Sequence, residues 1–364
     1  MGLRAADSPR PSRLLSLDAL RAVGLIFMIV DHAFDWWLAP AFRGGGVDRL
    51  AEFIGTLASP IFLVLAGAGV VLALDRLDDP QARRRREVAL VWRGLWVIIV
   101  GYLVNLLIFF NGDNPADIFA EDVLHLIGLG LILSVPATRY LNAWSALILA
   151  AVWAVASALW GGLFTLPPAL GAWVNGQSGI GYFPILPNLA YVWFGVSVGK
   201  VMAARLRANQ GEVGRFSPLL AIAAGVFLNL TLVVPNEGFR HPRLGFICLS
   251  LAVLFAVWAM LHRLQTLSEI TRRWLVLPLA RLGQATLFLY VFHQLIGYRL
   301  LWALGWISGR SWQGGAGIMS PTQALIGLAA LLALCAAVTP VWLRYRSQME
   351  AATLGRVPGF RSMV

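Results

Sequence analysis

Ten residues separate Arg21 from His32 in the first apolar stretch of the chain, which runs through Ser16-Leu17-Asp18-Ala19-Leu20-Arg21 to Met28-Ile29-Val30-Asp31-His32-Ala33-Phe34-Asp35. An imidazole with a carboxylate just before it and another one helical turn later has the parts of a general base. The carboxylate fixes one ring nitrogen and stabilises imidazolium while the other nitrogen takes a proton from a hydroxyl or an amine. Asp35 is the first choice for that orienting carboxylate and Asp31 the second. Arg21, with Asp18 beside it, suits the phosphates of a donor arriving from the cytoplasm. The structural alternative is an Asp18–Arg21 ion pair plus a carbonyl-bonded histidine, which would stitch helices together without chemistry.

A charge near the bilayer centre costs about 2.5–3.5 kcal/mol, so ionisable residues in an apolar span read as functional, with partners that face inward. On an α-helix Arg21 and His32 fall about 20° apart around the axis and about 16 Å apart along it. Asp18 shares Arg21's face one turn earlier, and Asp35 lies one turn beyond His32. The chain has five histidines. His125, in Glu121-Asp122-Val123-Leu124-His125, and His293, in Tyr290-Val291-Phe292-His293-Gln294, are expected to complete the site, with Tyr290 toward the donor. His241 and His262 sit in or beside loops. The histidines lie on different segments without ligand spacing, so no metal is predicted.

These residues need a scaffold, and the composition names it. Hydrophobic residues make up 59% of the chain and charged residues 13%, against roughly 25% in soluble proteins; the mean hydropathy is +0.72. An integral membrane protein follows, an all-α polytopic helix bundle partnered by the lipid bilayer. The net charge of +11 comes from arginines at the ends of apolar segments, which is the pattern that holds loops in the cytoplasm, and nucleic acid is not an expected partner. Cys248 and Cys335 sit within apolar segments and read as packing residues. The N-terminal run is too long and too charged for a cleaved signal, so it reads as the first transmembrane helix.

Apolar stretches at 14–38, 50–74, 88–110, 123–138, 141–161, 184–204, 216–235, 244–263, 282–304 and 321–343 predict about ten transmembrane helices. The fourth is the shortest. Arginines collect on alternate loops (Arg76 with Arg83 to Arg86, Arg139, Lys200 to Arg215, Arg263 to Arg281, and Arg344 onward), which places both termini in the cytoplasm. The organisation expected is a cytoplasmic tail over 1–13, a single transmembrane domain over 14–343 and a cytoplasmic tail over 344–364. Ala66-Gly67-Ala68-Gly69 reads as a close helix crossing. Trp36, Trp173, Trp306 and Trp312 fall on the outer side, where they suit a membrane belt or stacking on a sugar.

The spacing Arg21, ten residues, His32 resembles the first-helix signature of the transmembrane acyltransferase superfamily. Further along, Ser59-Pro60-Ile61-Phe62-Leu63-Val64-Leu65-Ala66-Gly67, Asp122-Val123-Leu124-His125-Leu126-Ile127-Gly128, Phe183-Pro184-Ile185-Leu186-Pro187 with Phe194-Gly195, and Leu282-Gly283-Gln284-Ala285-Thr286-Leu287-Phe288-Leu289-Tyr290-Val291-Phe292-His293 come in an order similar to the heparan-α-glucosaminide N-acetyltransferase catalytic-domain family. A more distant resemblance is to the acyltransferase-3 family, whose Trp-Ser-Leu-x-x-Glu-like segment this chain lacks.

The resemblance implies an acyltransferase that moves an acyl group, acetyl first of all, from cytosolic acyl-CoA (acetyl-CoA) to a hydroxyl or amine of a carbohydrate or glycolipid at the outer face. It also implies a multi-pass place in a bacterial cytoplasmic (inner) membrane, with a homo-oligomer left open. His32 would act as general base or as a transient acyl carrier. The rival is a secondary transporter or lipid-linked-glycan translocase, in which the polar seam of the first helix would be a substrate or proton path.

Overall fold

A computed structural model describes residues 14–110, 118–160, 171, 173–174, 183–208, 216–233, 244–308 and 316–354. His241, Trp312, the tail 1–13 and the end of the C-terminal tail lie outside these residues. The described chain is helical apart from a two-stranded antiparallel ribbon, β1 (Ile307–Ser308) with β2 (Ala316–Gly317).

Each of the ten apolar stretches is helical. The first is α1 (Leu15–Trp37). The second is divided into α2 (Gly46–Thr56) and α3 (Ala58–Leu74). The third is α4 (Pro80–Val104), extended by a wide turn over Asn105–Phe109. Asp79 starts α4 by accepting from the Gln81 and Ala82 backbones, with Pro80 in the first turn where its missing N–H costs nothing. The short fourth stretch forms a full helix, α5 (Val123–Tyr140). Then follow α6 (Ala143–Trp160), α7 (Ile185–Ala208), α8 (Phe216–Val233) and α9 (Leu244–Leu267). The ninth stretch is the main departure from expectation. It breaks at Ala285 into α10 (Leu277–Gln284) and α11 (Thr286–Gln294), and the two sides of the break meet at 75°. The last helix is α12 (Pro321–Leu354).

By length and apolar composition six helical stretches among the described residues are fit to cross a membrane, or seven if the bent pair is one span. This is fewer than the ten expected, for physical reasons. The helices α6 and α8 have only the shorter apolar runs Ala143–Ala156 and Leu219–Thr231. In α1 every long window includes at least three of Asp18, Arg21, Asp31 and Asp35, the residues that drew attention to it.

That charged helix is nonetheless central, packed by α2, α3, α9, α10 and α12. Its apolar face, including Leu20, Leu25 and Ile29, is buried. The helices α3 and α7 cross closely. A side chain on Gly67 would strike the backbone of Val192 and one on Gly195 that of Val64, so the small residues there let two backbones meet. At one end of the bundle Glu87 binds Arg83 and, through two oxygens, Arg139. Lys200 caps the Thr138 carbonyl at 2.6 Å and Arg207 pairs with Asp75 at 2.5 Å. The arginine-rich ends of α3, α4, α5 and α7 are thereby tied together. Cys248 and Cys335 are free thiols.

Candidate active site

The break at Ala285 builds the site. On one side of it Gly283 lets α10 lie directly on the Asp18 backbone. On the other, α11 turns so that His293, one of the least exposed residues in the chain, faces α1. There the Nε2 of His293 lies 3.0 Å from the Nδ1 of His32.

The protonation of this pair follows from one carbonyl. His293 Nδ1 is 3.0 Å from the oxygen of Leu289, one turn back. A carbonyl only accepts, so Nδ1 carries the proton and the Nε2 of neutral His293 is a lone pair. The Nδ1 of His32 must then donate to it. His32 is left with an unprotonated Nε2 that no described residue engages. The half-buried His32 ring is held flat by Trp36 at 4.7 Å and by His293 at 5.3 Å, and Tyr298 and Phe109 close the back of the cluster. Fixed tautomer, fixed plane and a free lone pair are what a base or nucleophile requires.

Neither carboxylate of α1 orients His32, which corrects the expectation for Asp35 and Asp31. Asp35 is taken by Arg43 from the turn after the helix, at 3.6 Å and through its carbonyl. Asp31 points around α1 toward α2, against Gly55. Each residue turns a helix by about 100°, so a neighbour in sequence leaves the imidazole's face.

A second arm of the site comes from α5. Tyr290, one turn before His293 and 5.8 Å from its ring, donates its hydroxyl to Asp122 Oδ2. The other Asp122 oxygen accepts from the Val123 backbone at 2.6 Å, and the Asp122 backbone N–H donates to His125 Nδ1 at 3.0 Å. This reciprocal cap is why an acidic residue followed three positions later by histidine starts α5. Burial raises the Asp122 carboxyl to about 6, with the Tyr290 and Val123 hydrogen bonds holding it from going further. Burial raises Glu121 to about 7. His125 packs against Tyr102 with the rings tilted and their centres 4.2 Å apart, and Gly101 leaves room for it, since a side chain there would come within 2.9 Å of the ring.

The expected site residues thus divide. His32, His293, Tyr290 and His125 come together, and Asp122 joins them although sequence reasoning gave it no role. The acidic pair Glu121-Asp122 directly before an apolar helix was the signal for it. Asp18 and Arg21 form a separate ion pair at 2.6 Å at the start of α1, with Gln284 reaching Asp18 at 3.4 Å. Arg21 remains about a third exposed, beside Gly69. Among the described residues no three His, Cys, Asp or Glu side chains group as metal ligands. A surface cleft of about 230 Å³ over the turn Ala41 to Asp48 contains none of the site residues.

The sequence profile described as heparan-alpha-glucosaminide N-acetyltransferase, catalytic, matches residues 13–236. The chain belongs to that family. The match begins just before α1 and includes His32, Asp122 and His125, and it gives the protein a membrane acetyltransferase-type catalytic domain. His293 and Tyr290 lie beyond the matched residues, supplied by the broken helix. No curated protein matches the chain.

Proposed function

We propose that this family member transfers an acetyl group from cytosolic acetyl-CoA to a hydroxyl or amine of a carbohydrate or glycolipid acceptor on the opposite face of a bacterial cytoplasmic membrane. The observation that carries the reading is the unprotonated Nε2 of His32, fixed through His293 by the Leu289 carbonyl. As the acceptor oxygen or nitrogen attacks the thioester carbonyl, His32 Nε2 takes its proton. The carbon–sulfur bond then breaks, and the leaving thiolate takes the proton from the imidazolium. His293 stabilises that imidazolium because its lone pair accepts the Nδ1–H throughout. Arg21, partly exposed at the other end of α1, meets the anionic donor.

The test is acetyl-CoA supplied to the purified chain in proteoliposomes, with thiol release followed and the product identified by mass spectrometry. Acceptor-dependent thiol release with an acetylated product is expected. Movement of acceptor across the membrane without thioester loss would overturn the reading in favour of a transporter.

A further inference from the structure

Trp36 and Trp37 stand side by side at the end of α1, and both are 3% exposed. That separates them from Trp144 and Trp274, each 75% exposed, which suit a membrane belt. Trp36 stacks on both histidines of the site, 4.7 Å from His32 and 6.0 Å from His293. Trp37 has no role in the transfer described above, yet the chain is built closely around it. A side chain on Gly317 would strike its carbonyl, and one on Gly327 would come within 3.0 Å of its ring. That carbonyl accepts from the Met319 backbone at 2.9 Å. The buried indole N–H donates to the Gly297 carbonyl at 2.7 Å.

Gly297 lies in the wide turn Leu295–Leu300, which continues α11. The helix α11 is nine residues long, with the break at Ala285 before it and this turn after it. So short an element, bent away at both ends, needs outside ties to keep its rotation. Tyr290 supplies one to α5 through Asp122. Two more run to α1, in the same direction along both segments: His32 with His293, then Trp37 with Gly297. Five residues of α-helix separate the two points on α1, a rise of about 7.5 Å. Two anchors that far apart fix both the spacing and the rotation of α11 against α1, where a single hydrogen bond would let it pivot. The His32–His293 bond depends on that constraint, because a hydrogen bond weakens steeply as its angle closes.

We propose that Trp37 is a positioning residue, which holds the wide turn after α11 so that His293 Nε2 meets His32 Nδ1. Its effect on rate rests on the acetyltransferase reading above. The indole acts on the backbone beyond α11, and His293 carries the effect to the base. Trp37 itself touches no reacting atom. A loss transmitted through His293 does not exceed the loss from removing His293.

The experiment uses the full chain in proteoliposomes with acetyl-CoA and glucosamine. Trp37→Phe keeps a buried ring and removes the N–H; it is expected to lower kcat about tenfold, with the KM for acetyl-CoA unchanged. The double variant Trp37→Phe with His293→Leu is expected to be no slower than His293→Leu alone, since both act through one hydrogen bond. Losses that multiply overturn the proposal, because a role in packing alone is independent of His293. With nitrogen-15-labelled histidine, the parent should show a coupling between the two nitrogens across the His32–His293 hydrogen bond, and folded Trp37→Phe should lose it. Where the parent turns over, an unchanged kcat, an unchanged coupling or an equal change in the acetyl-CoA KM overturns the proposal. If Trp37→Phe does not fold, benzothienylalanine at position 37 keeps the fused rings, replaces the N–H with sulfur and is read in the same way. Loss of the coupling in a chain that releases no thiol would keep the positioning role and overturn the acetyltransferase reading.

Discussion

The two ends of α1 carry the same kinds of side chain and are completed in opposite ways. At the start of the helix Asp18 and Arg21 satisfy each other at 2.6 Å, with Gln284 added from α10. Toward the other end His32 is held by His293, and no described residue engages its second nitrogen. Glu121, Asn105, His125 and Gln294 each carry a buried atom with no hydrogen-bond partner among the described residues. An ion pair satisfies its charge on its own neighbours, whereas an open lone pair on a half-buried ring is available to something from outside. The start of α1 is closed on itself, and the far end presents an open imidazole nitrogen.

The largest effect should come from the reacting end. His32→Ala is expected to lower acetyl-CoA-dependent transfer by at least ~10³-fold, within the range for loss of a general base, while the protein stays monodisperse in detergent. Normal transfer by that purified variant would remove the distinction between the two ends. Next, His293→Leu removes the acceptor that fixes the His32 tautomer and should cost on the order of 10²-fold in kcat with little change in donor KM. Equal losses in kcat and in donor binding would instead mean that α11 had moved.

At the stable end the ordering reverses, with stability affected more than rate. Arg21→Ala leaves Asp18 buried with its cation gone and is expected to destabilise the protein by about 1–3 kcal/mol in a denaturation series. The double variant Arg21→Ala with Asp18→Asn should recover most of that loss. If Arg21 also meets the donor, the double variant keeps a raised KM for acetyl-CoA. A full return of KM would assign the pair to structure alone.

The smallest effect is a slope. Glu121 rises from 4.5 to about 7 in the fold, and the cause is burial. Between those values the folded state binds more protons than the unfolded one, so this group makes stability fall as pH rises from about 4.5 to about 7, with no further change above. Thermal midpoints measured across that window should decline less steeply in Glu121→Gln than in the parent. An identical slope in both would mean that Glu121 is solvated in the folded protein.

Much of the fold was legible because hydropathy acts locally. Helices lie on every apolar stretch, and Gly67 makes the close crossing that its small neighbours suggested. The break at Ala285 was not legible, since no proline marks it and each side is apolar enough to continue. That one bend decides where His293 goes. The candidate site was legible as a set of residues, with His32, His125, Tyr290 and His293 all recognisable from rare polar groups in apolar runs. Their pairing was not. The carboxylates nearest His32 in sequence lose it to a histidine 261 positions away because helical twist turns Asp31 aside and Arg43 claims Asp35.

By itself the sequence determined an apolar helical chain of the acetyltransferase family, with rare polar groups standing out in its apolar runs, because hydropathy and helical period are read from residue type and spacing. The tertiary structure decided which nitrogen of His32 is free, which carboxyl meets Tyr290, and which polar atoms stay unpaired. Hydrogen bonds depend on distance and direction between segments far apart in the chain, and only the packed helices set those.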